Sequence, residues 1–149
     1  MTFKHKVLQQ HKVLLQDKID VFHDMISGLS IDAQNDAKGS AGDKHETALS
    51  MMHLEQEKLN FKLRDFLLQK NILDKIDASL HHTIITSGSI VKANEMYLFI
   101  SAALPKIIID SKTIIALSPQ SPLGSKLIGN SVGFTFEING STFSIIEIQ

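Results

Sequence analysis

The sequence predicts an α+β protein, in which an N-terminal antiparallel α-helical hairpin precedes an antiparallel β-sheet domain with one short helix. Three observations support this: apolar residues spaced by seven before residue 79, β-branched and aromatic runs after it, and an Asn139-Gly140 pair between the last two runs. We therefore divide the chain into a coiled-coil arm at 1–79, with its tip near 39–46, and a β domain at 80–149.

Two heptad series in the first half predict two long helices. The first predicts a helix from about residue 3 into the thirties, and its members are Leu8, Leu15, Phe22 and Leu29. The second predicts a partner helix at about 44–77, and its members are Met52, Leu59, Phe66 and Leu73. A short connection rich in turn residues lies between them, so an antiparallel hairpin is the simplest arrangement.

The second half contains short runs that are typical of strands. Candidate strands cover 83–91, 96–101, 107–117 with a break near Ser111, 132–138 and 141–148. Asn139-Gly140 is a strong signal for a two-residue hairpin turn. Such a turn pairs Ile138 with Ser141, Phe136 with Phe143 and Phe134 with Ile145.

A single short helix is predicted between the candidate strands 107–117 and 132–138. Ser121 is a candidate N-cap, Pro122 suits the first helical position, and Gly129 suits the stop. The predicted arrangement is therefore one short helix over an antiparallel sheet.

Composition excludes several function classes. A net charge of -1 argues against autonomous binding of duplex DNA, which needs a surplus of Lys and Arg on one face. The chain has no cysteine, and we find neither a secretory signal nor an apolar run of the roughly 20 residues that a membrane span needs. We expect a cytoplasmic protein without a membrane partner.

Asp43 and Glu46 lie at the predicted bend between the two helices. Asp at an N-cap with Glu three residues later is also a capping-box pattern, which stabilises a helix by roughly 1 kcal/mol. Capping does not prevent carboxylates at an exposed tip from meeting a cation. Both interpretations stay open on spacing alone.

Other catalytic patterns are missing from the sequence. His45-Glu46 opens like a zinc-protease motif, but Leu49 stands where the second histidine ligand would be. We find no Gly-x-Ser-x-Gly nucleophile motif and no phosphate-binding loop with its lysine. A self-contained enzyme is therefore not expected.

Two motifs resemble those of the bacterial Gre transcript-cleavage (transcription elongation) factors, and the resemblance covers most of the chain. One is similar to the family's tip sequence and reads Gly42-Asp43-Lys44-His45-Glu46-Thr47-Ala48. The other is the more specific, spans 118–133, and reads Ser-Pro-Gln-Ser-Pro-Leu-Gly-Ser-Lys-Leu-Ile-Gly-Asn-Ser-Val-Gly. Gly88-Ser89-Ile90-Val91 also fits the strand that opens the family's C-terminal domain.

The resemblance implies a hairpin that enters the secondary channel of RNA polymerase and a C-terminal domain of FK506-binding-protein-like fold at the channel mouth. Asp43 and Glu46 would then be the catalytic and metal-binding acids, which help to hold a second Mg²⁺ in the polymerase active centre. The partners would be RNA polymerase and, within that complex, the nascent RNA 3′ end. The protein would be an accessory factor that stimulates the nuclease activity of the polymerase.

The tip also departs from the family pattern. Thr47 replaces the family's asparagine, Leu49 and Ser50 replace the acidic and aromatic residues that usually follow, and Phe134 replaces an aspartate. One alternative is therefore a Gre-homologous channel regulator without cleavage activity. Another is a dimerising coiled-coil protein unrelated to transcription. A prolyl isomerase is not expected, because Tyr97 alone, without tryptophan, supplies little of an aromatic pocket.

Overall fold

The computed structural model describes the backbone of residues 1–39 and 42–149 and the side chains of residues 1–32 and 46–149. In that part of the chain two long helices precede a six-stranded sheet and a short third helix, which confirms the predicted α+β class. The helices are α1 (Phe3–Gly39), α2 (Gly42–Asp74) and α3 (Pro122–Leu127). The strands are β1 (Ile90–Ala93), β2 (Met96–Ile100), β3 (Ile107–Ile109), β4 (Lys112–Leu117), β5 (Thr135–Ile138) and β6 (Ser141–Ile148).

The sheet is antiparallel except for one pair of strands. Its order is β3-β4-β2-β1-β6-β5, and β2 and β4 run parallel. The predicted antiparallel sheet is thus confirmed, with one parallel pair that the sequence did not indicate. The chain leaves β2, forms β3 at the outer edge, and returns through a tight turn, so that β4 enters beside β2 in the same direction.

The predicted tight turn and the predicted strand break are both present in the sheet. Asn139 and Gly140 have φ values of 50° and 82°, as a two-residue hairpin turn requires. The turn pairs Ile138 with Ser141 and Phe136 with Phe143, as predicted. The predicted break near Ser111 separates β3 from β4. Short-range turn chemistry therefore fixes the register of two hairpins.

The predicted first strand, 83–91, is wrong over most of its length. Strand β1 begins only at Ile90. The backbone N–H of Ile85 donates instead to the carbonyl of Asn130, and the Ile85 carbonyl accepts from Gly129 N–H. Because the backbone N–H and C=O groups of Ile85 bond to the loop at 129–130, they are not available for pairing with a neighbouring strand.

The central strand β2 is buried on both faces. Leu98 and Ile100 face a core that includes Leu127 of α3, Phe136 and Ile145. Strand residues alternate between faces, so the neighbouring side chains of β2 point to the other side of the sheet. A strand covered on both sides reads as one apolar run, which is what Met96–Ile100 shows.

The start of α1 covers the second face of β2. Phe3 meets Tyr97 edge to face with ring centroids 5.5 Å apart, and His11 stacks on Phe99 at 5.7 Å. The chain accordingly forms two compact units, one of Met1–Val13 with Asn71–Gln149 and one of Leu14–Lys70. The division predicted after residue 79 follows a change in sequence pattern, whereas these units divide inside α1 and α2.

The buried imidazole of His11 makes stability depend on pH. His11 is 2 % exposed, and burial lowers its pKa from 6.5 to about 4. Between these values the unfolded chain binds a proton that the folded chain does not, so the free energy of unfolding falls as pH drops from 6.5 towards 4. We expect a loss on the order of 3 kcal/mol. Urea denaturation at several pH values measures it.

The control for this prediction is His11→Leu, which removes the titrating group and keeps an apolar side chain at the site. The variant should lose less stability than the wild type between pH 6.5 and pH 4. An identical pH dependence in both proteins would contradict the assignment to His11.

Candidate functional site

The unit Leu14–Lys70 is built from the facing parts of α1 and α2. Phe22 and Phe66 pack edge to face at 5.1 Å, and Gln56 Nε2 donates to Ser30 Oγ at 2.8 Å. Because the partner on α2 moves backward as the position on α1 moves forward, the two helices are antiparallel. This confirms the predicted hairpin and its heptad seam.

Aromatic and cationic contacts hold the register of the hairpin. The ammonium groups of Lys18 and Lys62 lie 5.8 and 5.6 Å from the centre of the Phe66 ring. A cation near an aromatic face contributes about 0.5–1 kcal/mol at exposed sites. The buried part of the seam on α2 comprises Leu59, Leu63 and Phe66, so those heptad residues are covered within one chain.

Helix α1 ends at Gly39, and the antiparallel helix α2 begins at Gly42. Positions 43 and 46 therefore belong to the beginning of α2, at the connected end of the hairpin. From Gln56, which bonds to α1, back to Glu46 is ten residues, or about 15 Å along a helix. Glu46 thus lies near the connected end of the paired helices.

Glu46 is exposed, whereas the side chain of Asp43 lies outside the described residues. The helix starts at Gly42, one residue before Asp43. The predicted N-cap position of Asp43 is therefore corrected, because its backbone is already in the first helical turn. Positions 43 and 46 are three residues apart on α2.

Two carboxylates are an incomplete set for Mg²⁺, which prefers six oxygen ligands in octahedral geometry. Among the described residues, no three His, Cys, Asp or Glu side chains are grouped closely enough to hold a metal ion. Two carboxylates alone would leave most of the six ligand positions of Mg²⁺ to other groups. Also within the described part of the chain, no helix combines the length and apolar character needed to cross a membrane.

The second sequence motif forms α3 and its flanking turns. Ser121 caps the helix as predicted, since its Oγ accepts from Gly124 N–H at 3.0 Å and donates to the carbonyl of Ser118 at 2.7 Å. Gly129 has a φ of 85°, which suits the predicted glycine stop. The motif therefore has a structural role in this chain, because Leu127 of α3 packs into the hydrophobic core.

Gly124 has no room for a larger side chain. A Cβ at Gly124 would lie 2.1 Å from the Ser118 carbonyl oxygen and 2.9 Å from Ser121 Oγ. Since the first of these is backbone, the capping turn itself has to move. We expect Gly124→Ala to lower the free energy of unfolding by about 1–3 kcal/mol, measured by urea denaturation.

Gly28→Ala is the matched glycine control, because a Cβ there meets no atom within 4 Å inside α1. This change should raise the free energy of unfolding by about 0.5–1 kcal/mol, since alanine is the better helix former. Changes of the same sign in both variants would argue against the steric role of Gly124.

Three exposed apolar residues of α2 were not predicted as a surface feature. Leu54, Phe61 and Leu68 are 61 %, 57 % and 59 % exposed. Their seven-residue spacing is visible in the sequence, next to the seven-residue series of the seam that contains Leu59 and Phe66. Spacing alone gives no indication of which of two apolar faces is covered.

Comparisons with known proteins give little further information. No protein-family model matches the chain, and no curated protein matches it. The chain is similar to a solved structure of the transcription factor Gfh1, with 15 % identity, coverage of 93 % of this chain and 92 % of that chain, and a TM-score of 0.35.

Proposed function

We propose that the protein is an accessory transcription factor that enters the secondary channel of RNA polymerase and stimulates cleavage of backtracked RNA. One observation carries the proposal: an antiparallel helical hairpin bears Asp43 and Glu46 in the first turns after its reversal, with Glu46 exposed. The motif resemblance at 42–48 and 118–133 supports the same partner. Mg²⁺ is the expected shared ion.

The proposed chemistry is phosphodiester hydrolysis at a two-metal site. Asp43 and Glu46 would supply oxygen ligands to the second ion, while the polymerase would hold the first with its own carboxylates. Mg²⁺ bound there would supply an activated water molecule and stabilise negative charge on the scissile phosphate. The chain supplies negative oxygen ligands and no nucleophile, so it is not an enzyme by itself.

A cleavage assay tests this function. A stalled, backtracked elongation complex with labelled RNA is incubated with Mg²⁺, with and without the protein. We expect release of short 3′ fragments at a rate clearly above that of the polymerase alone. Release at the background rate, with binding to the polymerase demonstrated, would exclude a role in cleavage.

A second function in the same channel is favoured by the residues that follow the acidic pair. Thr47, Leu49 and Ser50 depart from the family pattern, so polar groups that would position RNA or water are replaced. A regulator that occupies the channel without cleavage would change initiation or pausing and release no RNA fragments. The same assay, combined with a promoter-dependent transcription assay, separates the two functions.

A further inference from the structure

Helix α2 has a second apolar face that its own chain does not cover. Leu54, Phe61 and Leu68 are more than half exposed and recur every seven residues. At about 100° per residue, Leu54 and Leu68 point within about 20° of Phe61. Leu63 and Phe66, which are buried, project from the opposite side of the helix. The exposed stripe therefore lies opposite the seam with α1.

Charged residues border this stripe in a regular order. Glu57 and Arg64 lie on one side of Phe61, whereas Lys58 and Asp65 lie on the other side. All four are exposed. Within the described residues, none of the four forms an ion pair with its own chain. Each side of the stripe therefore carries one acid and one base without an ion-pair partner among the described residues, and the guanidinium of Arg64 lies 5.3 Å from the centre of the Phe61 ring.

This arrangement is self-complementary when two copies of α2 are placed antiparallel with Phe61 at the two-fold axis. Position i of one copy then faces a position close to 122 - i of the other, so Phe61 meets Phe61, and Leu54 meets Leu68. We call the side of the stripe with Glu57 and Arg64 the first flank and the side with Lys58 and Asp65 the second flank. In an antiparallel pair each flank meets the same flank of the partner. Glu57 therefore faces Arg64 of the other copy.

The second flank gives the same result, because Lys58 faces Asp65 of the other copy. Every apolar residue of the stripe meets an apolar residue, and each of these four charges meets its opposite. A parallel pairing in register would place Glu57 beside Lys58 and Arg64 beside Asp65 of the other copy, which are also pairs of opposite charge. The charge order therefore favours a second copy of the chain as the partner of this face, and charge-exchange variants distinguish the two orientations.

We propose that this face of α2 binds a second copy of the chain in an isologous dimer centred on Phe61, and we take the antiparallel pairing as the arrangement that the charge-variant mixture below tests. A groove of about 620 Å³ beside the stripe, lined in part by Phe61, Arg64 and Leu67, gives room for side chains of the other copy. Only a few helical turns take part, so the interface falls below about 1,200 Å² and the dimer is weak and reversible. This inference does not rest on the proposed function.

Sedimentation equilibrium of the full chain over a concentration series tests the dimer. The wild type is expected to show a reversible monomer–dimer equilibrium. Glu57→Arg and Arg64→Glu each replace two attractive contacts with two repulsive ones, so each variant alone should dimerise about five- to thirty-fold more weakly. An equimolar mixture of the two variants should recover the wild-type dimer, because each new charge then meets its opposite.

Phe61→Lys tests the centre of the interface and should leave the chain monomeric. Val21→Lys is the matched control, because Val21 is a 53 % exposed apolar residue on the other helix of the hairpin. It should dimerise like the wild type, and circular dichroism should show equal helix content in both. A monomeric wild type at all concentrations, or a mixture of charge variants that stays monomeric, overturns the proposal.

Discussion

Replacing Glu46 with Gln, or Asp43 with Asn, is expected to slow RNA fragment release from a backtracked complex by at least about tenfold, as is typical when a metal site loses support. Each change keeps the size of the side chain and removes its negative charge. Because Glu46 is exposed, its replacement should change the free energy of unfolding by no more than about 0.5 kcal/mol. The measurement is the single-turnover cleavage rate at fixed Mg²⁺ concentration.

The matched control is Glu55→Gln, a second exposed glutamate nine residues further along α2. It should leave the cleavage rate unchanged. Raising the Mg²⁺ concentration should partly restore the rates of the Asp43 and Glu46 variants, because weaker ligation is overcome by mass action. Equal losses in all three variants would indicate general electrostatics instead of a ligand role.

Phe99→Ala is expected to have the largest effect on stability among single substitutions in the sheet. Phe99 is 0 % exposed, and its strand β2 pairs with both β1 and β4. Removing the ring leaves a cavity beneath His11 and should cost about 3–5 kcal/mol. Against a total stability of about 5–15 kcal/mol, this brings the chain close to unfolding at room temperature.

Urea denaturation followed by circular dichroism measures this loss, with Ile108→Ala as the control. Ile108 is 71 % exposed on β3, so its truncation should change the free energy of unfolding by less than about 0.5 kcal/mol. A loss below about 1 kcal/mol for Phe99→Ala would mean that the start of α1 does not cover this face of the sheet.

Features with a local physical cause were predictable from the sequence. Asn139-Gly140 allows the positive φ values of a hairpin turn, and those two residues determined the register of β5 and β6. Ser121 and Pro122 similarly determined the start of α3. In each case the cause lies within a few residues of the feature.

Features that depend on distant partners were not predictable. The run 83–89 has the composition of a strand, yet Ile85 bonds to Asn130 in a loop. A heptad series indicates that a helix face is apolar but not what covers it, so the packing of Phe3 and His11 on the sheet was missed. The parallel pairing of β2 and β4 likewise has no local signal.

The candidate site could be predicted in part: its position has a local cause, whereas its proposed role depends on another molecule. The position of Glu46 at the connected end of the hairpin follows from two heptad series and a short turn, all of which are local patterns. The role of Asp43 and Glu46 as shared Mg²⁺ ligands stays a prediction, because the remaining ligands would come from another molecule. No pattern in a single chain specifies that partner.

The central claim is that the connected end of the hairpin reaches the RNA 3′ end inside the polymerase, and site-specific crosslinking tests it most directly. The chain has no cysteine, so Ser50→Cys, one turn beyond Glu46, places a photo-crosslinker at a single exposed position. In a backtracked complex we expect crosslinks from position 50 to the 3′ segment of the RNA, and none from Ser141→Cys in the β5–β6 turn. Binding to the polymerase without RNA crosslinks from position 50, or equal crosslinks from both positions, would contradict the claim.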